Sequence, residues 1–211
     1  MIIGIVGPTG SGKSAVGIAL AQALSTDIIS VDAYQIYRGM DIGTAKVMPH
    51  EQGGITHHFI DHVSAQTSYD VTMYQKEARA TIEKLQAAQK PVLLVGGSGY
   101  YLKALLHDFK FSQTPPVEAI PEPEVIWKTL SENAPALLNG VHPNNHKRLI
   151  NRYQRYISGQ APSPVNEPVY PYTLYGLDVA LPELKKRTDV RIDRMIEAGL
   201  EEEVQRIMRE G

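Results

Sequence analysis

The chain has 211 residues and a formal net charge of −2, with 43% apolar and 21% charged residues, the balance of an ordinary soluble globular protein of one or two domains. It contains no cysteine, which excludes a disulfide framework, a thiolate metal site and a thiol nucleophile. No apolar run reaches membrane-spanning length, and the first apolar stretch enters a glycine-rich loop instead of a signal cleavage site, so a cytoplasmic protein without membrane attachment is expected.

In chain order, "IIGIV" (2–6) predicts a buried strand, and Val16, Ala19, Leu20 and Ala23 mark a helix over 13–24. "DIISV" (27–31) and "HFIDHV" (58–63) predict further strands, with a helix over 72–88 carried by Ala78, Ile82 and Leu85. "PVLLV" (91–95) predicts a fully buried strand. Beyond Phe109 the rhythm changes to "TPPVEAIPEPE", helices over 122–132 and 145–157, and a proline-rich exit, "SGQAPSPVNEPVYPY". "TLYGLDV" (173–179) predicts a last strand, and one amphipathic helix is expected over 184–210, with Ile192, Met195, Ile196, Leu200, Val204, Ile207 and Met208 on its apolar side. Gly211 would suit its C-terminal cap.

Apolar strands alternating with helices predict an α/β fold, a parallel sheet covered by helices on both faces. The expected division is 1–110 as the first part of the core, 111–171 as a small, mainly helical insertion, and 172–211 as the return to the core. From Asn133 to Asn166 there is no acidic residue, while Lys147, Arg148, Arg152 and Arg155 all fall in that span. On a helix Arg148, Arg152 and Arg155 form one stripe with Leu149, Tyr153 and Tyr156 on a neighbouring one, which suits a nucleic-acid backbone and equally a solvated basic face. Arg187, Arg191 and Arg194 form a second basic stripe that could reach a bound diphosphate or face water.

"GPTGSGKS" satisfies G-x-x-x-x-G-K-[ST] between a predicted strand and a predicted helix, the P-loop context. Gly7, Pro8, Thr9, Gly10, Ser11 and Gly12 would wrap a phosphate, every one but Pro8 with a backbone N–H group. Lys13 would neutralise its distal oxygens, and Ser14 would ligate Mg²⁺. The fold expectation is therefore P-loop NTPase-like. The owner of the phosphate is open at this point, because nucleotides, sugar phosphates and prenyl diphosphates all offer such oxygens. The strand "VLLV" ends in "GGSG" with no acid, unlike a usual NTPase. "DIISVD" is the strand that does end in a carboxylate, placing Asp32 at the ligand-gathering edge as a Mg²⁺ outer-shell ligand or a general base. His50, His57, His58 and His62 lack the partner set of a zinc site and are assigned to packing and hydrogen bonding.

"GPTGSGKS", "IISVDAYQIYRGMDIGTAK", "HHFID" and "PVLLVGGSGYYLKALL", with "HPNNHKRLINRYQ" and "RIDRMIEAGLEEEV" matching less tightly, resemble the tRNA dimethylallyltransferase family, also called tRNA isopentenyltransferases. The resemblance implies that the diphosphate belongs to dimethylallyl diphosphate and that the acceptor is N6 of the adenosine on the 3′ side of the tRNA anticodon. It implies Asp32 as general base, Thr9 and Lys13 as its catalytic companions, and Mg²⁺ as cofactor. It further implies tRNA contacts at Asp32, Ala33, Tyr34, Gln35, Ser98, Lys147 and Arg148, with Gln35 on the flipped-out adenine. Asn151 stands where the family has Arg, which would remove one tRNA contact. Family chains also run on into C-terminal helices, so a chain ending at Gly211 is expected to lack that region. A monomer acting on the tRNA anticodon loop is expected. The alternatives are an adenylate isopentenyltransferase acting on free AMP or ATP, a small-metabolite P-loop kinase, and a truncated, idle module that still binds nucleotide or RNA.

Overall fold

The computed structural model describes residues 1–108, 120–159 and 167–210. The elements in chain order are β1 (Ile2–Val6), α1 (Lys13–Leu24), β2 (Ile28–Val31), β3 (Tyr37–Arg38), β4 (His57–His58), β5 (Val63–Ser64), α2 (Val71–Ala87), β6 (Val92–Gly96), α3 (Gly99–Leu106), α4 (Pro123–Asn133), a short 3₁₀ turn (Pro135–Leu138), α5 (His146–Ile157), β7 (Tyr172–Gly176), α6 (Leu181–Glu197) and α7 (Leu200–Glu210). Contacts divide the chain into a unit of Met1–Asp108 with Glu167–Gly211, and a unit of Phe109–Asn166.

The first unit is built on a five-stranded sheet in the order β4-β2-β6-β1-β7, parallel at every pairing. Alternating side chains sort its two cores, as the period of a strand requires. Ile29, Val31, Val92 and Leu94 pack against Tyr74, Ala78, Ile82 and Leu85 of α2 and Leu105 and Leu106 of α3. On the other face Ile5, Ile28, Leu93 and Val95 pack against Ala21, Ile18 and Leu20 of α1. The α/β class with helices on both faces is thus observed. Tyr74 is fully buried and donates its hydroxyl to the Ser30 carbonyl at 2.9 Å, tying α2 to the strand that leads to Asp32. In the second unit Ile126, Leu130 and Leu149 form a small core of α4 and α5.

Two expected elements are corrected. "HFIDHV" is not one strand: β4 and β5 are separated by Phe59 and Asp61, at φ 64° and 51°, a left-handed backbone that no strand continues through. β5 instead pairs with β3 in a small second sheet. The single helix over 184–210 is two helices. Gly199 at φ 94° breaks it, with the Ala198 and Gly199 N–H groups capping the Arg194 and Ile196 carbonyls. The apolar spacing runs across this break, which hides it. "TPPVEAIPEPE" reaches the described residues only at its end, "SGQAPSPVNEPVYPY" lies partly outside them, and the Gly211 cap lies wholly outside. No helix of the described residues is long and apolar enough to cross a membrane.

Candidate active site

The carboxyl ends of β1, β2 and β6 gather the groups singled out in the sequence. Residues 7–12 leave β1 in a tight loop in which the Ser11 N–H donates to the Pro8 carbonyl at 3.2 Å. Gly12, at φ 88°, is the N-cap of α1 and offers no side chain to cap it. By contrast, α2 is capped by the Asp70 carboxylate on the N–H groups of Thr72 and Met73. The first turn of α1 therefore keeps its donors and its dipole free for an anion. Gly7 permits the loop's closeness, since a Cβ there would meet the Ser11 Oγ at 2.8 Å. That hydroxyl is buried and has no hydrogen-bond partner among the described residues.

Lys13 lies at the head of α1 with its Nζ 3.3 Å from the Pro8 carbonyl oxygen. Burial lowers its pKa below the ordinary lysine value, opposed by the Asp32 charge and reinforced by Arg191. Asp32 follows β2 directly. Its Oδ1 accepts from the N–H groups of Tyr34 (2.9 Å) and Gln35 (3.3 Å), a turn that fixes the carboxylate. Ser98, after β6, accepts from the Ala33 N–H at 3.2 Å, and its own N–H donates to the Val31 carbonyl. β6 and β2 approach so closely here that a Cβ on Gly96 would sit 2.1 Å from the Val31 oxygen. Gly96 thus lets β6 close on β2, and Gly97, whose Cβ would meet the Gly7 oxygen at 3.1 Å, lets it close on the phosphate loop.

A cleft of about 1340 Å³ opens beside these groups, bounded by the loop and α1, by residues 41–48 and by α6. Thr9, Gly10, Gly12, Lys13, Ser14, Asp32 and Gln35 all line it. From α6 come Arg187, Arg191 and Arg194, so this basic stripe faces the cleft. Arg187 is held by Glu183 at 2.8 Å and reaches the Gly10 carbonyl at 3.4 Å. Tyr34 is exposed beside Asp32. Lys147 and Arg148 lie on α5 in the second unit, where Asn145 caps the helix by accepting from the Arg148 N–H at 3.1 Å. Burial lowers the Arg152 pKa, as do the charges of its neighbours Arg155 and Arg148.

Sequence reasoning missed the scaffold of the cleft wall at 39–46. Lys46 is buried, with its ammonium shared by Asp41 (2.6 Å), Asp61 and the Tyr37 carbonyl (2.7 Å). Glu203 of α7, also buried, accepts from the N–H groups of Asp41, Ile42 and Gly43, and Arg206 donates to the Gly39 carbonyl at 2.6 Å. The glycines of "RGMDIGTAK" and the run "GLEEEV" were signals of that contact, but neither names its partner. Of the four histidines between 50 and 62, His57 bonds the Ile55 carbonyl, His58 bonds Asp27 and His62 bonds Glu77.

Comparison with known proteins adds independent findings. Residues 35–211 match the family model described as IPP transferase. A tRNA dimethylallyltransferase of Oceanobacillus iheyensis is 39% identical over 226 residues, covering all of this chain and 72% of that protein. The crystal structure of the full-length tRNA isopentenylpyrophosphate transferase of Bacillus halodurans superposes with a TM-score of 0.71 at 32% identity, covering 100% of this chain and 70% of that one. A eukaryotic dimethylallyltransferase, described as acting on tRNA, superposes with a TM-score of 0.84 at 26% identity over 99% of this chain and 56% of its own.

Proposed function

Because the chain belongs to the IPP transferase family of prenyltransferases, we propose that it moves a dimethylallyl group from dimethylallyl diphosphate to N6 of the adenosine adjoining the 3′ side of the anticodon in tRNA. The observation that carries this reading is that one cleft holds a phosphate loop with a free helix N-terminus and, across it, a fixed carboxylate. The adenine exocyclic amine is a poor nucleophile because its lone pair is delocalised into the ring, so a base must take a proton as the C–N bond forms. Asp32 is that base. Its Oδ1 is occupied by the Tyr34 and Gln35 N–H groups, which leaves Oδ2 for the proton. Thr9, in the loop, helps to position the reacting groups.

As the allylic C–O bond breaks, negative charge gathers on the departing diphosphate. Thr9, Gly10 and Gly12 of the loop offer it N–H groups, and Lys13 with Arg187 and Arg191 offers fixed positive charge. The Ser11 hydroxyl, without a partner among the described residues, is a further donor inside the loop. The Ser14 hydroxyl is a hard oxygen donor on the same cleft and fits Mg²⁺ completed by diphosphate oxygens and water. When bound there, Mg²⁺ would neutralise charge on the diphosphate. Gln35 contacts the flipped adenine, Ala33, Tyr34 and Ser98 border it, and Lys147 and Arg148 bind the tRNA backbone.

The test is to incubate the protein with labelled dimethylallyl diphosphate and either unmodified tRNA or AMP. Label on tRNA alone is the expected result. Label on AMP alone would replace this reading with an adenylate isopentenyltransferase, and label on neither would leave a binding module.

A further inference from the structure

The side chain of Gln35 is not free to rotate. Its Nε2 donates to the carbonyls of Thr44 and Ala45, each at 3.3 Å. Two carbonyl acceptors fix which end of the amide is nitrogen, so both of its hydrogens are committed and Oε1 is the end left for a ligand. An amide in this state can only accept. It matches the N6–H of an adenine and opposes the O6 acceptor of a 6-keto purine.

The carbonyls that impose this orientation directly follow the segment held from α7. The Glu203 carboxylate takes Asp41 and Ile42 N–H on Oε2, both at 2.8 Å, and Gly43 N–H on Oε1 at 3.0 Å. Gly43 allows the approach, because a Cβ there would stand 3.2 Å from Leu200 Cδ1 and 3.5 Å from the carboxylate. Bonds from a carboxylate to backbone N–H groups are charge-assisted and are the strong ones in such a chain. The segment is pinned at its far end by Lys46 on Asp41 and Asp61. The path from Glu203 through 41–43 and the 44–45 carbonyls to the Gln35 amide is therefore continuous and fully bonded.

We propose that Glu203 is a positioning residue for base choice. By holding residues 41–43 it sets the carbonyls that turn Gln35 Oε1 toward the acceptor base, and so it selects an exocyclic amine over a keto oxygen. This rests on Gln35 meeting the adenine, as proposed above. The probe is binding of two anticodon stem-loops that differ only in adenosine or guanosine at the target position, measured for the parent, Gln35→Ala, Glu203→Ala and the double variant. Glu203→Ala is expected to lower the adenosine preference about tenfold, the worth of one hydrogen bond whose direction is lost, while affinity for inorganic diphosphate stays at the parental value. In the Gln35→Ala background Glu203→Ala should change the preference no further.

A preference unchanged in Glu203→Ala but lowered in Gln35→Ala would overturn the role of Glu203 alone. A preference unchanged in Gln35→Ala would overturn the assignment of Gln35 and the inference with it. Additive losses, or equal weakening toward both stem-loops, would show a merely structural helix contact. Should Glu203→Ala fail to fold, Glu203→Gln, which keeps the shape and presents an N–H₂ to one of the backbone donors, is measured in the same way.

Discussion

The approach of β6 to β2 makes a sharp demand on Gly96 and none on Gly99, three residues further on. Gly96→Ala would place a Cβ 2.1 Å from the Val31 oxygen and 2.5 Å from its carbon, where ordinary contact begins at 3.4 Å. Both obstructing atoms are backbone of a paired central strand, so no side chain can swing aside and the strands must part by more than an ångström. Overpacking costs about 1–3 kcal/mol, and a backbone obstruction belongs at the upper end, about 3 kcal/mol. For a domain of this size that is a fall in Tm of roughly 6–12 °C. Gly99, by contrast, has nothing within 4 Å of its virtual Cβ, and it opens α3. Gly99→Ala should leave stability unchanged or raise it by about 0.4–1 kcal/mol through the unfolded chain. Thermal unfolding followed by circular dichroism, with urea titration alongside, reads both variants. The displaced strand carries Asp32, so transfer by Gly96→Ala should fall below what its loss of folded protein explains. A Gly96→Ala protein melting within a degree of the parent, or equal losses in the two variants, would refute the reasoning.

Asp32→Asn should lower transfer by about 10²–10⁴-fold and leave diphosphate affinity near the parental value, since the base acts on the amine; equal loss of affinity in a binding titration would assign it to the cation instead. Lys13 has a lowered pKa, so diphosphate affinity should fall as pH rises through a value below the ordinary lysine value of 10.5, and Lys13→Arg should abolish that fall; a midpoint at or above 10.5 would refute the burial argument. Arg148→Glu with Arg152→Glu should weaken binding to all tRNAs and reduce the salt slope by about one per lost contact; an unchanged slope would return α5 to a solvated face. Burial pushes the Asp27 pKa up, but bonds to His58 and Lys90 outweigh it and hold the group below its ordinary 3.8. The stability it lends is therefore present above pH 3.8 and lost as pH falls through the lower folded value, so Asp27→Asn should be less stable at neutral pH and converge with the parent in acid.

What the sequence discloses is local. The phosphate loop is legible because Gly7, Gly12 and Lys13 specify a backbone path and a charge within eight residues, and Asp32 because a short apolar strand ends on it. The sheet and its two faces follow from apolar runs of the right length. The left-handed turns at Phe59 and Asp61 are hidden, since Phe does not announce such a backbone and one Asp announces it only weakly, and the supporting bonds come from Gln35 and Ile36 far back in the chain. Glu203 shows the limit most clearly. Glu201, Glu202 and Glu203 are identical in sequence, yet the last is buried on the backbone of 41–43 while its two neighbours are exposed. Only the three-dimensional path of α7 tells them apart.

The strand order has a consequence for how the protein is made. Of the sheet's strands β1 is the first to leave the ribosome, but it lies between β6 and β7, with Ile2 opposite both Val92 and Tyr172. At common translation rates its second neighbour follows by roughly ten to thirty seconds, and the loop joining them must close at an entropic cost that local helices do not meet. Until then β1 is an apolar segment with an unpaired edge, and the glycine loop behind it has no sheet to brace it. Packing of α1 against β1 before then would cover that segment and keep "MIIGIV" from pairing with another chain. Moving residues 172–176 nearer to β1 by circular permutation should shorten that interval and raise the yield of folded protein from a cell-free synthesis without chaperones.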